Sequence, residues 1–158
     1  MPAPFFNLPH YDITFRRGED FTFHFVHKDE EGNVIGVTGA TGEMQIRKSP
    51  LSARMSAWIR GASATGGIAA SGTAEAVREF YATGGTGHSG CGFTFGVDED
   101  GSTPLAGGVF LRIPAEMGSL IPSGMNFYDI IINTGATGGV RKARTGEFFV
   151  ELDVTRNQ

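Results

Sequence analysis

Four histidines and a single cysteine come first, because imidazole and thiolate supply much of the metal ligation and nucleophilic catalysis in proteins. His24 and His27 are three apart in Phe21-Thr-Phe-His-Phe-Val-His27, an alternating segment in which such positions project to opposite faces. They are not a ready-made metal pair. His88 and Cys91 form an H-x-x-C among glycines. A zinc site needs about four ligands, and a nucleophilic thiol needs a base within hydrogen-bond reach; neither requirement is met on paper. Thr83-Gly-Gly-Thr-Gly-His-Ser-Gly90 has the glycines of a phosphate-cradling loop but lacks its G-K-[ST] ending. Asp98-Glu-Asp-Gly-Ser102 opens like a calcium loop, yet position 109, near where the distant glutamate should stand, is valine. No serine sits in G-x-S-x-G. The expectation is a non-enzyme, with no catalytic residue, no cofactor and no metal site.

The segments that carry these residues read as strands. Ile13 and Phe15 alternate with Asp12, Thr14 and Arg16; Arg17-Gly18-Glu19 breaks the run; Phe21, Phe23 and Phe25 then alternate with Thr22, His24 and Val26. Asp29-Glu-Glu-Gly-Asn33 supplies a hairpin turn, after which Val34–Val37 is expected to return as a short strand. Thr38–Gly42 reads as a loop and Glu43–Lys48 as a strand with Met44 and Ile46 facing the core. Thr38–Gly42 apart, the pentapeptide T-G-A-T-G occurs once more, at Thr134–Gly138; two similar turns explain it without an internal duplication. Strands are also expected over Cys91–Val97, Gly108–Pro114, Asn126–Asn133, Gly139–Arg144 and Gly146–Val154, the last with Phe148, Val150 and Leu152 on one face. Ala115–Gly124 reads as a connection, and Thr73–Tyr81 as one short helix closed by Gly84-Gly85. Seven or eight strands predict a small antiparallel β-sandwich, immunoglobulin-like or barrel-like.

Composition sets the outer bounds. At 158 residues the chain is expected to be a single domain, 1–158, with one core. Glycine accounts for 24 residues, about twice its usual ~7% share. The 13 phenylalanines and the 40% hydrophobic content nevertheless exclude a disordered chain. Eleven of the glycines lie in residues 61–101, so 51–103 reads as a glycine-rich insertion, with loops at 61–72 and 83–92. A net charge of −4 argues against nucleic acid as a partner, because phosphate binding needs a concentrated basic surface. One cysteine allows no intrachain disulfide. No segment approaches the ~20 apolar residues of a membrane span, and MPAPFFNLPHYD lacks the features of a secretory signal. A soluble protein assembled in a cytoplasm is expected, with no membrane partner.

The two ends share a pattern with a known group. Tyr11-Asp-Ile-Thr-Phe-Arg-Arg-Gly-Glu-Asp-Phe-Thr-Phe23, Lys28-Asp-Glu-Glu-Gly-Asn-Val34 and Val37-Thr-Gly-Ala-Thr-Gly-Glu-Met-Gln-Ile-Arg47 open the chain. Ile113-Pro114, Ile121-Pro-Ser-Gly124, Tyr128-Asp-Ile-Ile-Ile132, Gly146-Glu-Phe-Phe-Val150 and Asp153-Val-Thr-Arg156 close it. Together they resemble small bacteriophage virion structural proteins of the tail- and baseplate-associated type. They are also similar in outline to the immunoglobulin-like N-terminal domain of phage baseplate upper proteins. The resemblance spans about residues 10–50 and 103–156 and implies a virion protein present in many copies, assembled in the host cytoplasm. It would bind other phage structural proteins of tail, baseplate or neck. The alternatives are a capsid decoration protein on the phage head and a carbohydrate- or receptor-binding β-sandwich. As partner-binding candidates, Phe5, Phe6 and Leu8 stand in an N-terminal arm, residues 1–9, where apolar side chains gain most by entering a partner's groove. Trp58 and Tyr81 are the aromatics that could begin a sugar-binding platform.

Overall fold

The computed structural model describes residues 10–52, 54–60, 67–73, 92–115, 121–135 and 138–151; for 54–56, 58, 60 and 67–73 only the backbone is described. Nine strands are described: β1 (Ile13–Arg16), β2 (Phe21–Val26), β3 (Thr41–Arg47), β4 (Arg54–Arg60), β5 (Gly67–Thr73), β6 (Gly92–Val97), β7 (Pro104–Ile113), β8 (Gly124–Asn133) and β9 (Val140–Glu151). They form a six-stranded sheet, β1-β9-β8-β3-β4-β5, and a three-stranded sheet, β2-β7-β6. The two pack face to face as a β-sandwich. Every pairing is antiparallel except β1 with β9, which is parallel. Chain order within the sheets is that of a variable-type immunoglobulin sandwich, in which two extra strands extend the larger sheet at the β4 and β5 positions. Among the described residues no helix is long and apolar enough to cross a membrane.

Period-two alternation makes the sandwich. Met44 and Ile46 of β3, Tyr128, Ile130 and Ile132 of β8, and Phe148 and Val150 of β9 are buried; so are Val109, Leu111 and Ile113 of β7 and Phe93 of β6. Each sheet therefore has one apolar face that only the other can cover. The sheets are stapled on the β2 side by aromatic rings. Phe15 lies 5.5 Å from Phe21 and 5.7 Å from Phe148, and Tyr128 meets Phe148 edge-on at 6.1 Å, all centroid to centroid. Such offset and edge contacts suit the ring quadrupoles.

Four expectations need correction. Val34–Val37 is not a strand: after the Asp29–Asn33 turn, Lys28 and Val34 form one isolated bridge, and Ile35 and Val37 turn into the core. Gly139–Arg144 and Gly146–Val154 are not two strands but the continuous β9, which accommodates Ala143 as a bulge opposite the Ile130–Ile131 step. The stretch 51–103 is no mere insertion, because β4 and β5 extend the large sheet and β6 completes the small one. The glycine segment 61–72 is in part strand β5. Of the helix expected at Thr73–Tyr81, all but Thr73, which ends β5, lies outside the described residues.

One junction fixes the start of the chain against the large sheet. The Tyr11 amide donates to the Thr145 carbonyl at 2.8 Å, the buried Tyr128 hydroxyl donates to the Tyr11 carbonyl at 2.6 Å, and the Glu147 amide donates to Asp12 Oδ1 at 3.0 Å. Burial raises the Tyr128 phenol above its ordinary pKa, so it stays a donor. Gly146 makes the approach possible: its φ is 157°, and a Cβ there would overlap the Tyr11 carbonyl. Tyr128→Phe leaves that carbonyl without its donor and should cost about 1–2 kcal/mol. Gly146→Ala adds a backbone clash and should cost roughly 2–3 kcal/mol. Urea unfolding of both variants measures this, and equal, negligible losses would refute the junction's role.

Candidate functional site

Among the described residues, two concave regions carry polar and aromatic side chains that could meet a partner. The first lies on the outer face of the large sheet, where the alternate residues of β3, β8 and β9 point away from the core. Register places Gln45 opposite Asp129, Asp129 opposite Thr145, Phe127 opposite Glu147 and Met125 opposite Phe149. Met125 and Phe149 are 43% and 39% exposed, an apolar cross-strand pair turned to solvent beside half-buried Phe127. A hollow of about 290 Å³ adjoins them, lined by His10, Gln45, Arg47, Phe127, Asp129 and Glu147 among others. Its polar groups are largely tied to one another. Asp129 accepts the Thr145 hydroxyl at 2.7 Å and faces Lys142 at 3.5 Å, while Gln45 donates to Glu43 at 2.8 Å. The result is a small apolar patch beside a polar and charged hollow.

The second region is a groove of about 550 Å³ along β2, the edge of the small sheet. Tyr11, Phe23, Phe25 and Arg144 line it on the inner side, with Thr22, His24, Glu99 and Phe110 around the rim. The rings of Tyr11 and Phe23 are 5.3 Å apart and those of Phe23 and Phe25 5.8 Å. Arg144 faces inward opposite Ile130 and sits 4.4 Å above the Phe25 ring, a cation–π contact. Burial lowers its pKa from the usual guanidinium value.

Of the residues singled out from sequence, those that are described do not converge. His24 is hydrogen-bonded at 3.0 Å to the Val97 carbonyl on the outer side of β2, whereas His27 is buried at 2% exposure, so the two imidazoles stand in different surroundings. Among the described residues no group of three or more His, Cys, Asp or Glu side chains could hold a metal ion. In the acidic turn, the Thr103 hydroxyl and the amides of Ser102 and Thr103 all donate to Asp100, which lowers its carboxyl to about 2. That carboxylate organises its own turn. Trp58 pairs with Gln45 on one side and Ala69 on the other, within β4. Phe5, Phe6, Leu8, Tyr81, His88 and Cys91 lie outside the described residues. Sequence reasoning missed the Met125–Phe149 pair. The odd-numbered parity of Met125, Phe127 and Asp129 was legible, but their adjacency to Phe149 depends on the β8–β9 register.

No protein-family model matches the chain, and no curated protein matches it significantly.

His27 gives the fold a pH dependence. Its Nε2 has no hydrogen-bond partner among the described residues, and burial, then Arg141 and Arg144, lowers its pKa from 6.5. In the window between that lowered value and 6.5 the unfolded chain binds more protons than the folded one. The contribution is therefore complete above about pH 6.5 and is lost as the pH falls through the folded value. The urea midpoint of the wild type should fall between pH 7 and pH 5, and His27→Gln should flatten that fall. An unchanged slope in the variant would remove His27 as its source.

Proposed function

We propose that the chain is a non-enzymatic structural component of a bacteriophage virion, present in many copies, that binds neighbouring structural proteins of the tail, baseplate or neck. The reading is supported by the resemblance of residues 10–50 and 103–156 to small virion proteins, segments that supply β1 to β3 and β7 to β9. The observation that carries the binding role is the exposed Met125–Phe149 pair beside Phe127, on a sheet face that also carries Gln45, Asp129, Thr145 and Glu147. A rigid antiparallel sheet presents such a patch with little backbone ordering cost, so more of the apolar burial there survives as affinity. The polar clusters serve structure: Asp20 holds the Ala115 amide at 2.8 Å and Arg112 at 3.2 Å, and Arg141 pairs with Glu30 at 2.9 Å.

A second reading rests on the 290 Å³ hollow, where Phe127 stands beside Gln45, Arg47, Asp129 and Glu147. An aromatic face next to planar polar groups is also what a carbohydrate-binding module would offer. A capsid decoration protein would use the same outer face on a different lattice.

Labelling the protein in intact particles and separating heads from tails tests the placement. The label should stay with tails; label on heads selects the decoration role, and absence from particles overturns the virion reading. Replacing Met125 and Phe149 by glutamate should leave the β-sheet circular dichroism intact while reducing incorporation at least tenfold. Full incorporation of that variant would refute the docking face, and glycan-dependent quenching of the single-tryptophan fluorescence would favour the sugar-binding module.

A further inference from the structure

Inward positions on a sandwich strand are apolar, because a charge there loses its hydration. Along β9 the inward row runs back from Val150 through Phe148 and Gly146, all buried, and its next member is Arg144, opposite the buried Ile130. The half-buried Arg144 guanidinium lies 4.4 Å over the Phe25 ring and donates once, from Nη1 to the Ala143 carbonyl at 2.7 Å. None of its other nitrogens is buried without a partner, so they reach solvent where the residue lines the 550 Å³ groove. Among the described residues no carboxylate acts on it: burial and the Tyr128 phenol set its pKa. A charge placed against the pattern of the core, with donors to spare, points to function.

We propose that this groove is a binding site for a small aromatic monocarboxylate. The carboxylate takes the remaining N–H donors of Arg144, in the two-pronged geometry that guanidinium and carboxylate share, and the ring of the ligand lies against Tyr11 and Phe23. The proposal does not depend on the virion reading.

Charge and shape select that ligand. The rings of Tyr11, Phe23 and Phe25 follow one another at 5.3 and 5.8 Å, and Tyr11 is 54% exposed, so a flat apolar body finds a stacking surface. One guanidinium matches one negative charge. On the rim, His24 already donates Nε2 to the Val97 carbonyl, and the exposed carboxylate of Glu99 repels the second charge that a phosphate would bring. An inner wall of three rings and a guanidinium suits a small molecule better than a peptide, whose backbone needs a hydrogen-bond partner at each residue. The volume of about 550 Å³ lies within the ~300–1,000 Å³ of small-ligand sites.

Equilibrium dialysis of the full-length chain against 2-naphthoate tests this. Saturable binding of one 2-naphthoate per chain is expected at about pH 7.5, where a phosphate monoester is largely a dianion. The uncharged 2-naphthamide and the doubly charged 2-naphthyl phosphate should each bind about tenfold more weakly or worse. Arg144→Met keeps an apolar stem over Phe25 and should erase the preference for acid over amide while the β-sheet circular dichroism stays unchanged. Glu99→Lys alters an exposed rim residue, so it tests the site even if the Arg144 variant fails to fold, and it should tighten 2-naphthoate about threefold. Absence of saturable binding would overturn the proposal, including where another part of the chain fills the groove. Equal affinity for acid and amide, a preference that survives Arg144→Met, tighter binding of naphthyl phosphate, or an affinity indifferent to Glu99→Lys would do the same. Tighter binding of the peptide acetyl-Phe-Asp-Phe-amide would also overturn it, and would select an acidic segment of a partner protein instead.

Discussion

The approach of the Tyr11 carbonyl to Gly146 governs how the rest of the chain is arranged. That carbonyl takes the Tyr128 hydroxyl from inside the core, and the approach exists because position 146 has no Cβ. From it follows the parallel register of β1 on β9, Ile13 to Phe148 and Phe15 to Val150. That register puts the Phe15 ring between Phe21 and Phe148. The aromatic staple then seats β2 over β9, so a backbone contact on the large sheet determines where the small sheet sits.

Among the described residues the sheets are unequal, six strands against three, and the inequality shapes both candidate surfaces. A broad sheet covered on one face leaves a wide outer face, and the register of β8 and β9 collects Met125, Phe127 and Phe149 there. On the β2 side Arg144 lies over Phe25 from within. That inward charge lies against both sheets, on β9 by its backbone and over the Phe25 ring of β2 by its guanidinium. An apolar sheet face suits a flat partner, whereas a groove lined by aromatic rings and a guanidinium suits a narrower one.

The β-sandwich class and the core strands were legible from residues alone, because burial imposes a period of two on β1, β2, β3, β8 and β9 that any window of six residues reveals. Met44 and Ile46 were correctly turned inward for this reason. Legibility failed where the deciding partner was distant in sequence. Gly146 reads locally as a strand break, yet here it is the place where Tyr11, 135 residues earlier, must come close. Val34–Val37 has strand-like residues, but Ile35 and Val37 are spent on the core instead of on a ladder. Strands β4 and β5 were hidden because glycine, alanine and serine carry little periodic signal, and pairing with β3 supplies what local propensity lacks.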